Sequence, residues 1–191
     1  VASILQAFGN LAVQDEWACT AVSGRGLHPK VLGEFSAGDI AKVAEAAGCL
    51  KAVACLQRVT GVLLDALLLR LSKERALQKE LAGSSALPGL FVGLGRMRAA
   101  GEGAAADGPR LTLSRACASD DSLSKLPSKD LAHLLWGAGA SGVPIDEEAR
   151  SRVAGVLHSK RRELHPHDAV LALWGMAASG GILDKASNAK E

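Results

Sequence analysis

Two imidazoles and a carboxylate stand together at His165-Pro166-His167-Asp168. A metal would need further ligands converging from elsewhere; a loop running into a helix cap is the ordinary reading of this segment. Gly93-Leu94-Gly95 is a fragment of the glycine-rich pattern that cradles phosphates. No strand is predicted before it and no Lys-Ser/Thr follows, so close approach of two helices is the better reading. Ser141 and Ser179 each precede a glycine and read as helix ends, not nucleophiles. Cys19, Cys49, Cys55 and Cys117 form no C-x-x-C pair and have no histidine at ligand spacing. They read as reduced, mostly buried thiols. No nucleophile or acid-base pair assembles from these residues, so the expectation is a protein that is not an enzyme and takes no cofactor or metal.

Binding chemistry is better represented. Lys160, Arg161 and Arg162, with Arg150 and Arg152, make one helix positive toward its end, and Arg96 and Arg98 decorate an earlier helix. Such residues can contact phosphates, or simply complement a helix C-terminus. Trp136 and Trp174 offer indole faces on which bases could stack. Each is followed by glycine in an apolar stretch, however, which favours packing between neighbouring helices. The sequence expectation for both is core.

What must position these residues is a recurring helix face. The i, i+3, i+4, i+7 pattern occurs as Ile4-Ala7-Phe8-Leu11, Ile40-Val43-Ala44-Ala47, Leu90-Gly93-Leu94-Met97, Leu131-Leu134-Leu135-Ala138 and Ala169-Ala172-Leu173-Met176. The starting residues are 36, 50, 41 and 38 positions apart. A period near 38 fits two short helices with turns, the unit of a stacked helix-pair array. Leu126–Gly142 aligns with Leu164–Gly180 at a shift of 38, matching Trp136 with Trp174, Gly137 with Gly175 and Asp130 with Asp168. Between the stripes, Ser3 can cap a first helix, Asp39 precedes a second, and a long helical region runs from about Leu50 to Leu81 with Gly61 as its weak point. Pro88 suits the first turn of the next helix. Gly101 to Pro109 reads as a loop, followed by a short helix over 111–118 in which Leu111-Thr112-Leu113 reads equally well as extended. Ser128 and Asp146 are candidate N-caps, the following first helix spans Asp168 to Ser179, and its partner helix would start near Asp184.

Bulk composition agrees with helices. The 191 residues contain 48% apolar residues but only 3% aromatics and no Tyr, a poor match to β-rich domains. The formal net charge of +2 is too small to argue for nucleic acid by itself. The most hydrophobic run, Val59 to Leu71, is broken by Asp65 and Arg70 and is too short for a bilayer. No membrane insertion is expected. The fold expectation is all-α, an irregular helix-pair repeat array of α-solenoid type. Residues 1–84 form a helical region with degenerate repeats, and 85–191 hold the helical repeats, clearest at 126–182. The chain begins with Val, so any presequence is invisible in it.

The segment Leu131-Ala132-His133-Leu134-Leu135-Trp136-Gly137-Ala138-Gly139-Ala140-Ser141-Gly142, with its second version Leu171-Ala172-Leu173-Trp174-Gly175-Met176-Ala177, resembles the octotricopeptide and heptatricopeptide repeat families. The resemblance covers Leu126 to about Ile182, and more loosely Ser85 to Gly101. It implies an α-solenoid of mitochondria or plastids that binds organellar RNA. The chain departs from the families' pattern in its proline-poor repeat starts, its early spacing of 50 and the lack of a nuclease-like end domain. Those departures suit a permanent subunit of a large assembly better than a sequence-specific RNA factor. The functional expectation is a non-catalytic subunit of a mitochondrial ribosome or other ribonucleoprotein, partnered by ribosomal RNA and neighbouring proteins. The alternative is a protein-only scaffold or an accessory subunit of a mitochondrial respiratory complex.

Overall fold

The computed structural model describes residues 1–13, 15–50, 54–97, 104–118, 122–143 and 145–179. These residues are all-α. In chain order they form α1 (Ala2–Asn10), α2 (Glu16–Gly26), α3 (Pro29–Glu34), α4 (Ala37–Cys49), α5 (Ala54–Lys73) and α6 (Arg75–Ala82). There follow α7 (Leu87–Met97), α8 (Ala104–Ala118), α9 (Ser128–Ser141), α10 (Glu147–Ser159) and α11 (Pro166–Ser179), with a 3-10 turn at Arg161–Glu163.

Several ends follow directly from local chemistry. The Asp15 carboxylate accepts from the Ala18 amide at 2.8 Å and caps α2. Ser36 and Asp39 form a reciprocal capping box on α4, so Asp39 lies three residues inside the cap rather than before it. Pro127, not Ser128, is the N-cap of α9; the Ser128 hydroxyl instead donates to the Glu163 carbonyl at 3.3 Å. Gly142, at φ 75°, ends α9 in the left-handed conformation. Asp146 sits at the N-cap of α10 without capping through its side chain; its carboxylate accepts from the Ser114 hydroxyl at 2.9 Å.

Two middle segments differ from the sequence expectation. α5 runs straight through Gly61 and breaks later, where Glu74 leaves the helix and α6 begins. The buried Gln78 amide then donates to the Leu71 and Ser72 carbonyls at 2.7 and 3.1 Å, covering the exposed end of α5. Helix α8 starts at Ala104, inside the stretch read as a loop, and carries Pro109 within it. Three alanines favour the helix there, and Gly108 packs its Cα side on the Leu68 carbonyl and Ser72 amide of α5. Where a loop was expected, tertiary contact decides. Residues 101–103, and the partner helix expected near Asp184, lie outside the described residues.

Packing sorts the helices into rows. α1, α4, α7, α9 and α11 are consecutive neighbours, and α2, α5, α8 and α10 form a second line alongside, with α6 between α5 and α8. All five apolar stripes therefore fall on one row. A single apolar cluster extends from Ala2 to Ala172 through Ile40, Leu67, Leu90 and Leu135. The boundary drawn at 84/85 falls in the link between α6 and α7, and this core is continuous across it. Arg70, within the hydrophobic run of α5, donates to the Leu32 and Phe35 carbonyls at 2.7 and 2.9 Å and ties α5 to the end of α3.

Glycines fix how the first row packs. A Cβ on Gly93 would strike the Ala44 carbonyl, one on Gly137 the Phe91 carbonyl, and one on Gly175 the Leu135 carbonyl. Two residues on, Gly9 faces the Ala46 Cα at 3.1 Å, Gly48 the Gly93 carbonyl at 2.8 Å, Gly95 the Gly137 Cα at 3.0 Å, and Gly139 the Gly175 carbonyl at 2.8 Å, each measured from a Cβ built on the glycine. The crossing position is thus Ala7, Ala46, Gly93, Gly137 and Gly175, which gives repeat spacings of 39, 47, 44 and 38. The spacings of 36, 50 and 41 read from the stripes were each displaced by three residues, one helical turn.

Candidate interaction surface

The row register places the candidate residues. One position before each crossing lie Gln6, Glu45, Val92, Trp136 and Trp174. The Gln6 side chain donates to Glu45 at 2.9 Å, joining α1 to α4. Gly89 leaves room beside the Glu45 carboxylate, where a side chain would collide with it. A shallow groove of about 330 Å³ crosses α1, α4, α7 and α9 here, with Glu45, Cys49, Val92, Arg96, Asp130 and His133 on its walls. Trp136 and Trp174 continue the line of Glu45 and Val92 along the row. Trp136 is half-buried and Trp174 is 43% exposed, so neither is the fully buried core residue the sequence suggested. The physical reason is their place at the rim of each helix crossing. The glycine one position on, Gly137 or Gly175, takes the buried contact instead.

Lys129 and His167 hold matching positions, each seven residues before the tryptophan of its repeat. Lys129 and His167 are exposed and His133 is half-buried. His133 Nε2 lies 3.8 Å from the Asp168 carboxylate, bridging α9 to α11. Asp39, Asp130 and Asp168 sit at matching first-turn positions of three first-row helices, where the helix dipole favours an anion. His165 Nδ1 accepts from the His167 amide at 3.3 Å, the local turn expected of this segment. Among the described residues no three His, Cys, Asp or Glu side chains converge as metal ligands.

The basic residues singled out from sequence do not form one patch. Arg96 is exposed on the groove, its Nη1 donating to Cys49 Sγ at 3.3 Å. Arg98 lies outside the described residues. Arg150 and Arg152 are half-buried on α10, Arg150 paired with Glu147. Lys160 Nζ donates to the Ser124 and Leu126 carbonyls, both at 2.6 Å, and so fastens the turn before α9 to the end of α10. Arg161 and Arg162 are exposed on the 3-10 turn, with Arg161 also reaching the His158 carbonyl at 3.3 Å. Sequence reasoning thus grouped Lys160, a structural side chain, with two exposed arginines. It missed Lys129, His133 and His167, which the Trp register could have pointed to.

The thiols take different settings. Cys19 and Cys117 are buried and Cys49 is half-buried, and none of the three is in a disulfide. Burial pushes the Cys117 thiol up to about 11, with Arg152 opposing and Asp146 and Glu148 adding to the shift. It is a poor nucleophile at neutral pH. Among the described residues no helix is long and apolar enough to cross a membrane. No family model matches the chain, and neither does any curated protein or solved structure.

Proposed function

We propose that this chain is a non-catalytic helical-repeat subunit that docks on RNA and on neighbouring proteins within an organellar ribonucleoprotein. A mitochondrial ribosome is the leading setting, with a plastid as the alternative. The observation that carries the reading is the first row itself, where the half-buried Trp136 and the exposed Trp174 stand in register one repeat apart and the exposed Lys129 and Arg96 lie on the same row of helices. Partly exposed indoles one repeat apart can stack on unpaired bases, and the Lys129 and Arg96 side chains can offset phosphate charge. The exposed pair Arg161 and Arg162 adds a second place for phosphate contact.

The test is titration of fluorescently labelled single-stranded RNA at several salt concentrations, followed by anisotropy and by tryptophan quenching. Binding should weaken linearly in log salt. Replacing Trp136 and Trp174 by Leu should remove the quenching, and reversing charge at Arg161 and Arg162 should flatten the salt slope. No affinity at low salt, together with no RNA crosslinked in the native particle, would end the RNA reading. The protein-only scaffold, including an accessory role in a respiratory complex, then takes its place. That second reading is favoured by the apolar side chains exposed on α1 and α11.

A further inference from the structure

The interface between neighbours in the first row is one interface made four times, and both outer edges display half of it. Two positions before each crossing, Leu5, Ala44, Phe91 and Leu135 are fully buried by the helix that follows, whereas Leu173 on α11 is 63% exposed. Three residues earlier, Ala41 and Ala132 are buried while Val170 is 65% exposed. The α1 edge shows the other half. Ile4 is 48% exposed at the register where Val43, Leu90, Leu134 and Ala172 are buried, and Leu11 is 76% exposed where Leu50 and Ser141 are buried. A mostly apolar groove of about 360 Å³ opens beside the α11 edge, between Arg150, Ser151 and Ala154 of α10 and Leu173, Met176 and Ala177 of α11. Leu11 and the exposed Trp17 sit at the α1–α2 turn, the same end of the helix pair as this groove.

We propose that the α11 edge is a seat for α1 of a second copy of this chain, docked head to tail. Ala7 of the incoming copy takes the crossing position held inside the molecule by Ala46, Gly93, Gly137 and Gly175. Leu11 and Trp17 of that copy reach the groove. The interface is heterologous, so each addition leaves a fresh edge and the assembly grows with concentration. Every internal crossing has at least one glycine, but Ala7 would meet an α11 whose position two residues after the crossing is Ala177. The contact between copies is therefore wider than those inside the chain, and reversible. The inference is independent of RNA binding.

Sedimentation velocity of the chain from micromolar to millimolar concentration tests it. The average mass should rise beyond that of a dimer. Leu173→Glu and Ile4→Glu should each be monomeric alone, since each has lost one edge. Mixed, they should form a one-to-one dimer that stops growing, because each supplies the edge the other lacks. Ala7→Gly supplies the missing glycine and should tighten association several-fold; Ala7→Leu should weaken it by at least about tenfold. As Ala7 is exposed in the single chain, this second pair of variants serves even where an edge glutamate prevents folding. A chain that stays monomeric to millimolar, a mass that stops at a dimer, or a mixture that gives no dimer would overturn the proposal. So would self-association surviving in either edge variant.

Discussion

At the scale of single residues, the glycines separate into two kinds that sequence alone does not tell apart. Gly137 meets a backbone carbonyl of α7, while Gly61 and Gly155, also within helices, have nothing within 4 Å of an added Cβ. Gly137→Ala forces backbone apart in a packed core, and overpacking of this kind costs about 1–3 kcal/mol. Gly61→Ala and Gly155→Ala remove only a poor helix former, and each should gain up to about 1 kcal/mol. Urea denaturation of the three variants checks the sign; equal effects would mean that the crossing is not held by its glycine. The Trp-Gly dipeptide was legible as a repeat marker but not as a partition of labour, because adjacent residues on a helix face different surroundings. Cys117 gives a second expectation. Its folded-state value is raised from about 9 to about 11. The folded chain keeps a proton that the unfolded chain releases, so this stabilising contribution is whole below pH 9 and is lost as pH rises through 11. Alkaline denaturation midpoints for wild type and Cys117→Val should show a shallower decline in the variant. Mass mapping with a thiol reagent at neutral pH should label Cys49 before Cys117.

At the scale of helices, the sequence showed which segments are first-row helices and mistook how they register. An Ala- and Leu-rich face slid by three residues still reads as apolar, because i+3 and i+4 are both neighbours on a helix. Only the backbone contact, felt through glycine, is sharp enough to set the crossing. Two caps were displaced for local and distant reasons in turn. Ser36 and Asp39 satisfy each other in a reciprocal box, which moves the cap of α4 three residues before Asp39. The Ser128 hydroxyl is instead drawn to the distant Glu163 carbonyl and leaves Pro127 at the cap of α9. Lys160 shows the same rule in the loops. Its charge was legible, but its two carbonyl partners lie 34 and 36 residues away in sequence. Lys160→Met should therefore lower stability by about 1–2 kcal/mol, the range for a partly exposed charged hydrogen-bonding group. The charge reversals at Arg161 and Arg162 should leave the melting temperature unchanged and alter only RNA affinity. If Lys160→Met melts like wild type, Lys160 returns to the exposed basic group.

At the scale of the whole chain, a row of like helices makes stability depend on neighbours rather than on any one element. α4, α7 and α9 are each covered on both sides by first-row helices, whereas among the described residues α1 and α11 each have one first-row neighbour. Backbone amides open more readily where fewer apolar contacts must be broken. Hydrogen exchange of the dilute chain should thus be slowest in α4, α7 and α9 and faster in α1 and α11, although all five share the same apolar stripe. Sequence periodicity ranks these helices as equals; the ranking by exchange comes only from position in the row. The same measurement repeated at high concentration distinguishes the edges from the middle. Head-to-tail docking covers α1 of one copy with α11 of the next, so protection should rise in those two helices together and stay constant in α7. A rise confined to α11 would instead mean that its exposed face meets its own kind. Uniform exchange across the row would show that the chain opens as one unit, and that edge exposure costs it nothing.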